Sequence, residues 1–110
     1  MSEKTQQEIA KGVKLTNKKL SSVQAIITTT KTVASAGTAE QLPDVECLWA
    51  TIQAKTGNTN PVFLGDSSVD STNGYELSAL ESIVVPVSNL SLLWLDVTTN
   101  GEGVNIMYGK

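Results

Sequence analysis

The stretch LSLLWLDVTTNGEGVNIMYG, residues 90–109, decides the fold class. In it Leu93, Leu95 and Val97 alternate with Leu92, Trp94 and Asp96. Past an Asn-Gly-Glu-Gly break, Val104, Ile106 and Tyr108 resume the same period. A period of two belongs to a strand, whose successive side chains face opposite sides. The glycines at 101 and 103 tolerate the positive φ of a tight turn, so the stretch predicts two strands joined by a hairpin. Apolar residues stand on both faces of the first strand. One face is core; Leu92 and Trp94 then read as surface that another subunit covers.

Outward from this stretch, the same signal recurs at short intervals separated by turn formers, the pattern of an all-β chain. In VECLWATIQAK, residues 45–55, Leu48, Ala50, Ile52 and Ala54 share one face, and Cys47, Trp49, Thr51 and Gln53 the other. Trp49 is expected to join the Trp94 patch, since tryptophan is enriched at subunit interfaces. VQAIITTTKTVA supplies a first strand, ended by Ala36-Gly37 and followed by Pro43, while PVFLGD places Val62 and Leu64 opposite Phe63. In YELSALESIVVPV, Leu77 and Leu80 are positioned to anchor a turn before a strand carrying Ile83, Val85 and Val87, and Pro86 puts that strand at an edge or a bulge. The expected fold is a small antiparallel β-sandwich of about seven or eight short strands over residues 23–110.

GDSSVDSTNG, residues 65–74, invites a functional reading. Asp66, Ser68 and Asp70 have the alternate spacing of a calcium loop, and Asn73 or Glu76 offer further oxygens. Counted from Asp66, however, an EF-hand would need glycine sixth and glutamate twelfth, where this chain has Ser71 and Leu77. The lysine and hydroxyl of a phosphate loop are missing too. A turn is the expectation, with Asp66 and Ser67 bonding their own backbone and Asn73-Gly74 closing the excursion.

Composition excludes several function classes. The 110 residues contain neither histidine nor arginine, so the commonest general base, the commonest metal ligand and the best clamp for phosphate are lacking. The sequence predicts no enzyme, no catalytic or metal residues and no cofactor. Lysine-activated serine chemistry would have only Lys55 within the body before the terminus, and Glu76 and Glu81 read as solvated acids. The single cysteine, Cys47, permits no intrachain disulfide and reads as a small packed side chain. No window reaches the apolar length of a membrane span, and the polar start is unlike a signal peptide, so the expected setting is soluble, made in a cytoplasm.

Charge divides the chain. In the first 31 residues six lysines face two glutamates, a net of +4, whereas from residue 32 onward two lysines face nine acids, a net of -7. Residues 1–22 read as a basic arm ahead of the sandwich. Within it Ile9, Val13, Thr16, Leu20, Val23 and Ile27 follow at heptad spacing, a seam suited to a partner helix or to sister subunits, although Gly12 and Asn17 interrupt it. The arm is read as helical or extended. Lys11, Lys14, Lys18 and Lys19 are candidates for docking on an acidic neighbour. The missing arginine and interleaved aromatics argue against nucleic acid.

The runs TVASAGTAEQLP, TIQAKTGNTNPVFLGDSSV and NGYELSALESIVVPVSNLSLLWLDVTTNGEGVNIMYG, in that order, resemble a recurrent small β-domain of tailed-phage virions, over about residues 32–109. The resemblance implies a β-sandwich or jelly-roll-like module of head decoration, head-fibre or neck and tail attachment type, often oligomeric with three-fold or higher symmetry and devoid of catalytic residues. The lysine-rich arm and the strand tryptophans depart from that pattern. The expected function is therefore structural: an auxiliary virion component that binds other virion proteins, such as the major capsid protein, as a trimer or larger oligomer. Ile9, Val13, Leu20, Trp49, Leu92 and Trp94 are its expected interface residues. The alternative is a receptor- or glycan-binding attachment domain of a phage tail or fibre, with the TGNTN and GDSSVDSTNG loops as its site.

Overall fold

Strand formation follows the β-branched and alternating runs. The computed structural model describes residues 23–110. Strand β1 spans Ile26–Thr32 and is β-branched at every position but Lys31; such side chains lose little freedom on a pleated surface. After it come β2 (Glu40–Gln41), β3 (Trp49–Ala54), β4 (Val62–Gly65), β5 (Tyr75–Leu77), β6 (Ser82–Val85), β7 (Trp94–Val97) and β8 (Gly103–Gly109). They form two four-stranded sheets, ordered β1-β8-β3-β6 and β2-β7-β4-β5, with every pair antiparallel. Strand β1 thus pairs with β8, β2 with β7, β3 with β6 and β4 with β5, as in one long hairpin folded over on itself. That winding is a jelly roll; the all-β sandwich is the fold expected from the sequence, whereas the strand pairing was not legible there.

Between the sheets, β3 and β8 contribute the alternating set Ala50, Ile52, Ala54, Val104, Ile106 and Tyr108, all buried. Ile52 lies in register with Ile106 and is flanked by two alanines, so large and small residues interleave under the opposite sheet. From that sheet Val62, Leu64, Leu95 and Val97 face them, and Leu42, Leu90 and Leu93 fill in from the connections. Each large aliphatic side chain taken fully from water contributes about 1.5–3 kcal/mol. Pro86 follows the last residue of β6, and β6 is an edge strand, as a proline without an N–H requires.

Three sequence expectations fail here. First, β7 and β8 do not form a hairpin: they belong to different sheets, and residues 98–102 carry the chain across. The crossing is fixed by the β1–β2 corner, where the Gly101 N–H donates to the Val33 carbonyl at 2.8 Å and the Val33 N–H to the Glu102 carbonyl at 2.9 Å. A Cβ at Gly103 would overlap the Lys31 carbonyl, so glycine there serves close approach of β8 to β1. Second, the Leu80 side chain is no anchor; it is exposed, at a φ of 70°, and Leu77 alone is buried, while Leu80 holds the turn through its N–H to the Ala54 carbonyl. Third, the alternation proposed for residues 45–55 breaks before Trp49. Cys47 joins the core and Leu48 is only half-buried, because Glu46 forms an isolated bridge with Asn89 and shifts the entry to β3.

Candidate functional site

GDSSVDSTNG closes on itself. The Asp66 carboxylate accepts from the Ser68 N–H at 2.9 Å and its hydroxyl at 2.6 Å. Asp70 accepts in the same way from Thr72, at 2.8 and 2.6 Å, and from the Asn73 N–H. The Asn73 side chain binds back to the Asp70 N–H and the Ser68 carbonyl. These donors hold both carboxylates below the usual range, the hydroxyl bond being the largest cause in each. The loop also has an apolar purpose invisible in its composition. Val69 is buried, and a Cβ at Gly65 or Gly74 would stand 2.9 or 2.8 Å from its Cγ2, while one at Gly74 would lie 2.5 Å from Phe63 Cβ. Phe63, on the outer side of β4, is thereby covered by a folded-back flap rather than by solvent.

Several other acids of the body are also engaged. Glu102 accepts from the Thr59 N–H and hydroxyl and from the Asn60 N–H, which lowers its pKa, the Thr59 N–H most. Asn58 brackets the same crossing by exchanging bonds with the backbone of Gly103. Buried Asp96 accepts from the N–H groups of Gly37 and Val97. Glu40 bonds Lys31 at 2.9 Å and the Ala34 N–H at 2.8 Å, joining the two sheets at a corner, and its pKa is lowered, chiefly by Lys31. The Glu81 carboxylate caps its own turn through the Ser78 N–H. Cys47 donates to the Val87 carbonyl at 3.2 Å, and burial pushes its thiol up.

The TGNTN and GDSSVDSTNG loops leave opposite ends of β4, and their polar groups bind their own surroundings. The structure does not gather them into one site. Nor does it gather the tryptophans: Trp49 lies on the sheet of β1, β8, β3 and β6, and Trp94 on the other. Each is half-buried beside a glycine, Trp49 opposite Gly109 and Trp94 opposite Gly65. Leu92, in the 3-10 turn before β7, is exposed. The expected single patch of Trp49, Leu92 and Trp94 is therefore divided between two faces. Ile9, Val13, Leu20, Lys11, Lys14, Lys18 and Lys19 lie outside the described residues.

What the structure brings together instead is the outer face of the β1-β8-β3-β6 sheet. Its middle row runs Thr28, Met107, Thr51, Val84 across the four strands in register. On one side lies the row Ile26, Gly109, Trp49, on the other Thr30, Asn105, Gln53, Ser82. None of these positions carries a charge, although about a quarter to a third of an ordinary surface does. Val84 is 65% exposed, Ile26 57% and Met107 40%. The residues were legible as the alternate set to Ile52 and Ile106, but only the strand order shows that they adjoin. On the opposite sheet the corresponding face is partly roofed by the 65–74 flap and the turn at Gly37.

No family model and no curated protein matches the chain. A solved structure described as "Bacillus endospore appendages form a novel family of disulfide-linked pili" is similar to it at a TM-score of 0.46 and 19% identity, covering 79% of this chain and 87% of that chain. A likeness that distant carries no functional argument.

Proposed function

We propose that the protein is a structural subunit whose activity is binding to other protein subunits, in the setting that its sequence resemblance implies, as an auxiliary head component of a tailed-phage virion. The observation that carries this reading is the uncharged, partly apolar outer face of the β1-β8-β3-β6 sheet, with Ile26, Val84 and Met107 turned to solvent. A face without charge, with exposed apolar side chains set among threonines, is suited to protein contact. The bracing supports it as well, since Asp66, Asp70, Glu102 and Glu40 spend their carboxylates on the chain itself and make the sandwich a rigid block. In this reading catalysis has no part.

The lysines of the arm, Lys11, Lys14, Lys18 and Lys19, dock on an acidic neighbour, and the Ile9, Val13 and Leu20 seam joins sister chains. A particle offers many copies of one site, so several modest contacts on one oligomer multiply. Light scattering of the full chain over a concentration series tests the reading. A trimer or larger oligomer is expected, with particle binding lost once residues 1–22 are removed. A monomer at every concentration, with no particle binding, would overturn it.

A further inference from the structure

We infer that the outer face of the β1-β8-β3-β6 sheet is a contact between two copies of this chain, stacked face to face about a two-fold axis; this deepens the subunit reading and rests on it. Charge selects the occupant. From residue 32 onward the body carries a net of -7, so two bodies repel over most approaches, although the +4 of the first 31 residues brings the full chain to -3. The sheet face removes that obstacle, because all its outward positions are neutral. A basic partner would find no acid there to recognise. A second copy brings an identical neutral surface of threonine, asparagine, glutamine and apolar side chains, which is self-complementary as a two-fold contact requires.

Geometry places the centre of the contact. A two-fold axis lying in the plane between the faces, centred over the middle row and running either along it or parallel to the strands, sets that row against itself. Met107 of one copy then meets Met107 or Thr51 of the other, these two being in register on the inner strands β8 and β3. Methionine suits such a position, being flexible enough to fill an imperfect fit. Four strands at about 4.8 Å spacing and about 20 Å long bury roughly 1,000 Å² in total, the lower limit for a specific interface. The contact is consequently weak and concentration-dependent. In an oligomer joined by its arms it links one oligomer to the next.

Full-chain protein carrying Met107→Cys, treated with a short bis-maleimide cross-linker, is expected to yield covalent dimers. Wild type is expected to yield none, its Cys47 being buried. Leu92→Cys, exposed on the other side of the sandwich, serves as the second control. Sedimentation across a concentration series should show Val84→Lys weakening self-association at least tenfold, with Val84→Thr close to wild type. If M107C stays uncross-linked at concentrations where wild type associates, or L92C cross-links equally well, this interface is wrong while the subunit reading stands. If wild type does not associate at all, both fall.

Discussion

At Gly74 a single hydrogen stands where a methyl group would press within 2.5 Å of Phe63 Cβ, 2.8 Å of Val69 and 3.1 Å of the Asp70 carbonyl. The flap over Phe63 thus depends on a residue that composition alone marks as an ordinary turn former. Gly57, in the other long loop, has nothing within 4 Å of the same position. Urea unfolding should therefore separate the two substitutions. Gly74→Ala is expected to cost about 1–3 kcal/mol, as overpacking does. Gly57→Ala should stay within about 0.5 kcal/mol of wild type, as surface changes do. The turn itself was legible in Asp66 and Asn73, which bond the backbone near them, whereas the second set of bonds comes from Asp70 and not from Ser67. Its burial of Val69 was not, because one valine among polar residues has no periodicity to read.

Among the elements, the 55–61 loop and the 98–102 crossing hold one another. Glu102 reaches Thr59 and Asn60 across more than forty residues of sequence, and Asn58 reaches Gly103. Such a partnership leaves no local signal, which explains why Glu102 passed for a hairpin residue and TGNTN for a free loop. Replacing Glu102 with glutamine keeps its size and removes the charge that strengthens these bonds. Amide exchange at Thr59 and Asn60 should accelerate severalfold, with protection at Ile52 and Ile106 unchanged; equal acceleration throughout would show general destabilisation instead. The hairpin error has the same origin. Alternation shows that Leu95, Val97, Val104 and Ile106 face a core, and it is blind to whether they do so from one sheet or from two. The edge position of β6 was legible because Pro86 carries its own chemical reason.

For the molecule as a whole, stability against acid follows from the braced carboxylates. Glu40, Asp66, Asp70 and Glu102 all have lowered pKa values, so their contribution is complete above the unfolded carboxylate range, about pH 4–4.5, and is lost as pH falls through the folded values. Cys47 acts at the other end. Its thiol is raised, so the unfolded chain ionises first and stability declines above about pH 9. With no histidine in the chain, the melting temperature should stay level between about pH 6 and 8, fall below about 4.5 and fall again above 9. A Cys47→Ala variant should lose part of the alkaline decline. A steep change near pH 6.5 would contradict this assignment.

The nested pairing of strands has a further consequence at the corner where β1 and β8 meet. The Lys110 carbonyl receives the N–H groups of Gln24 and Ala25, and the Lys110 N–H returns a bond to the Ala25 carbonyl. Residues 24 and 25 are thus fastened to residue 110 at a single point of the sandwich. In a body reduced to residues 23–110, a few residues joining Lys110 to Val23 would close the chain, and new ends could be opened at Gly57, where the backbone has room. The same corner would let the whole domain be spliced into a surface turn of another protein without spreading the turn apart.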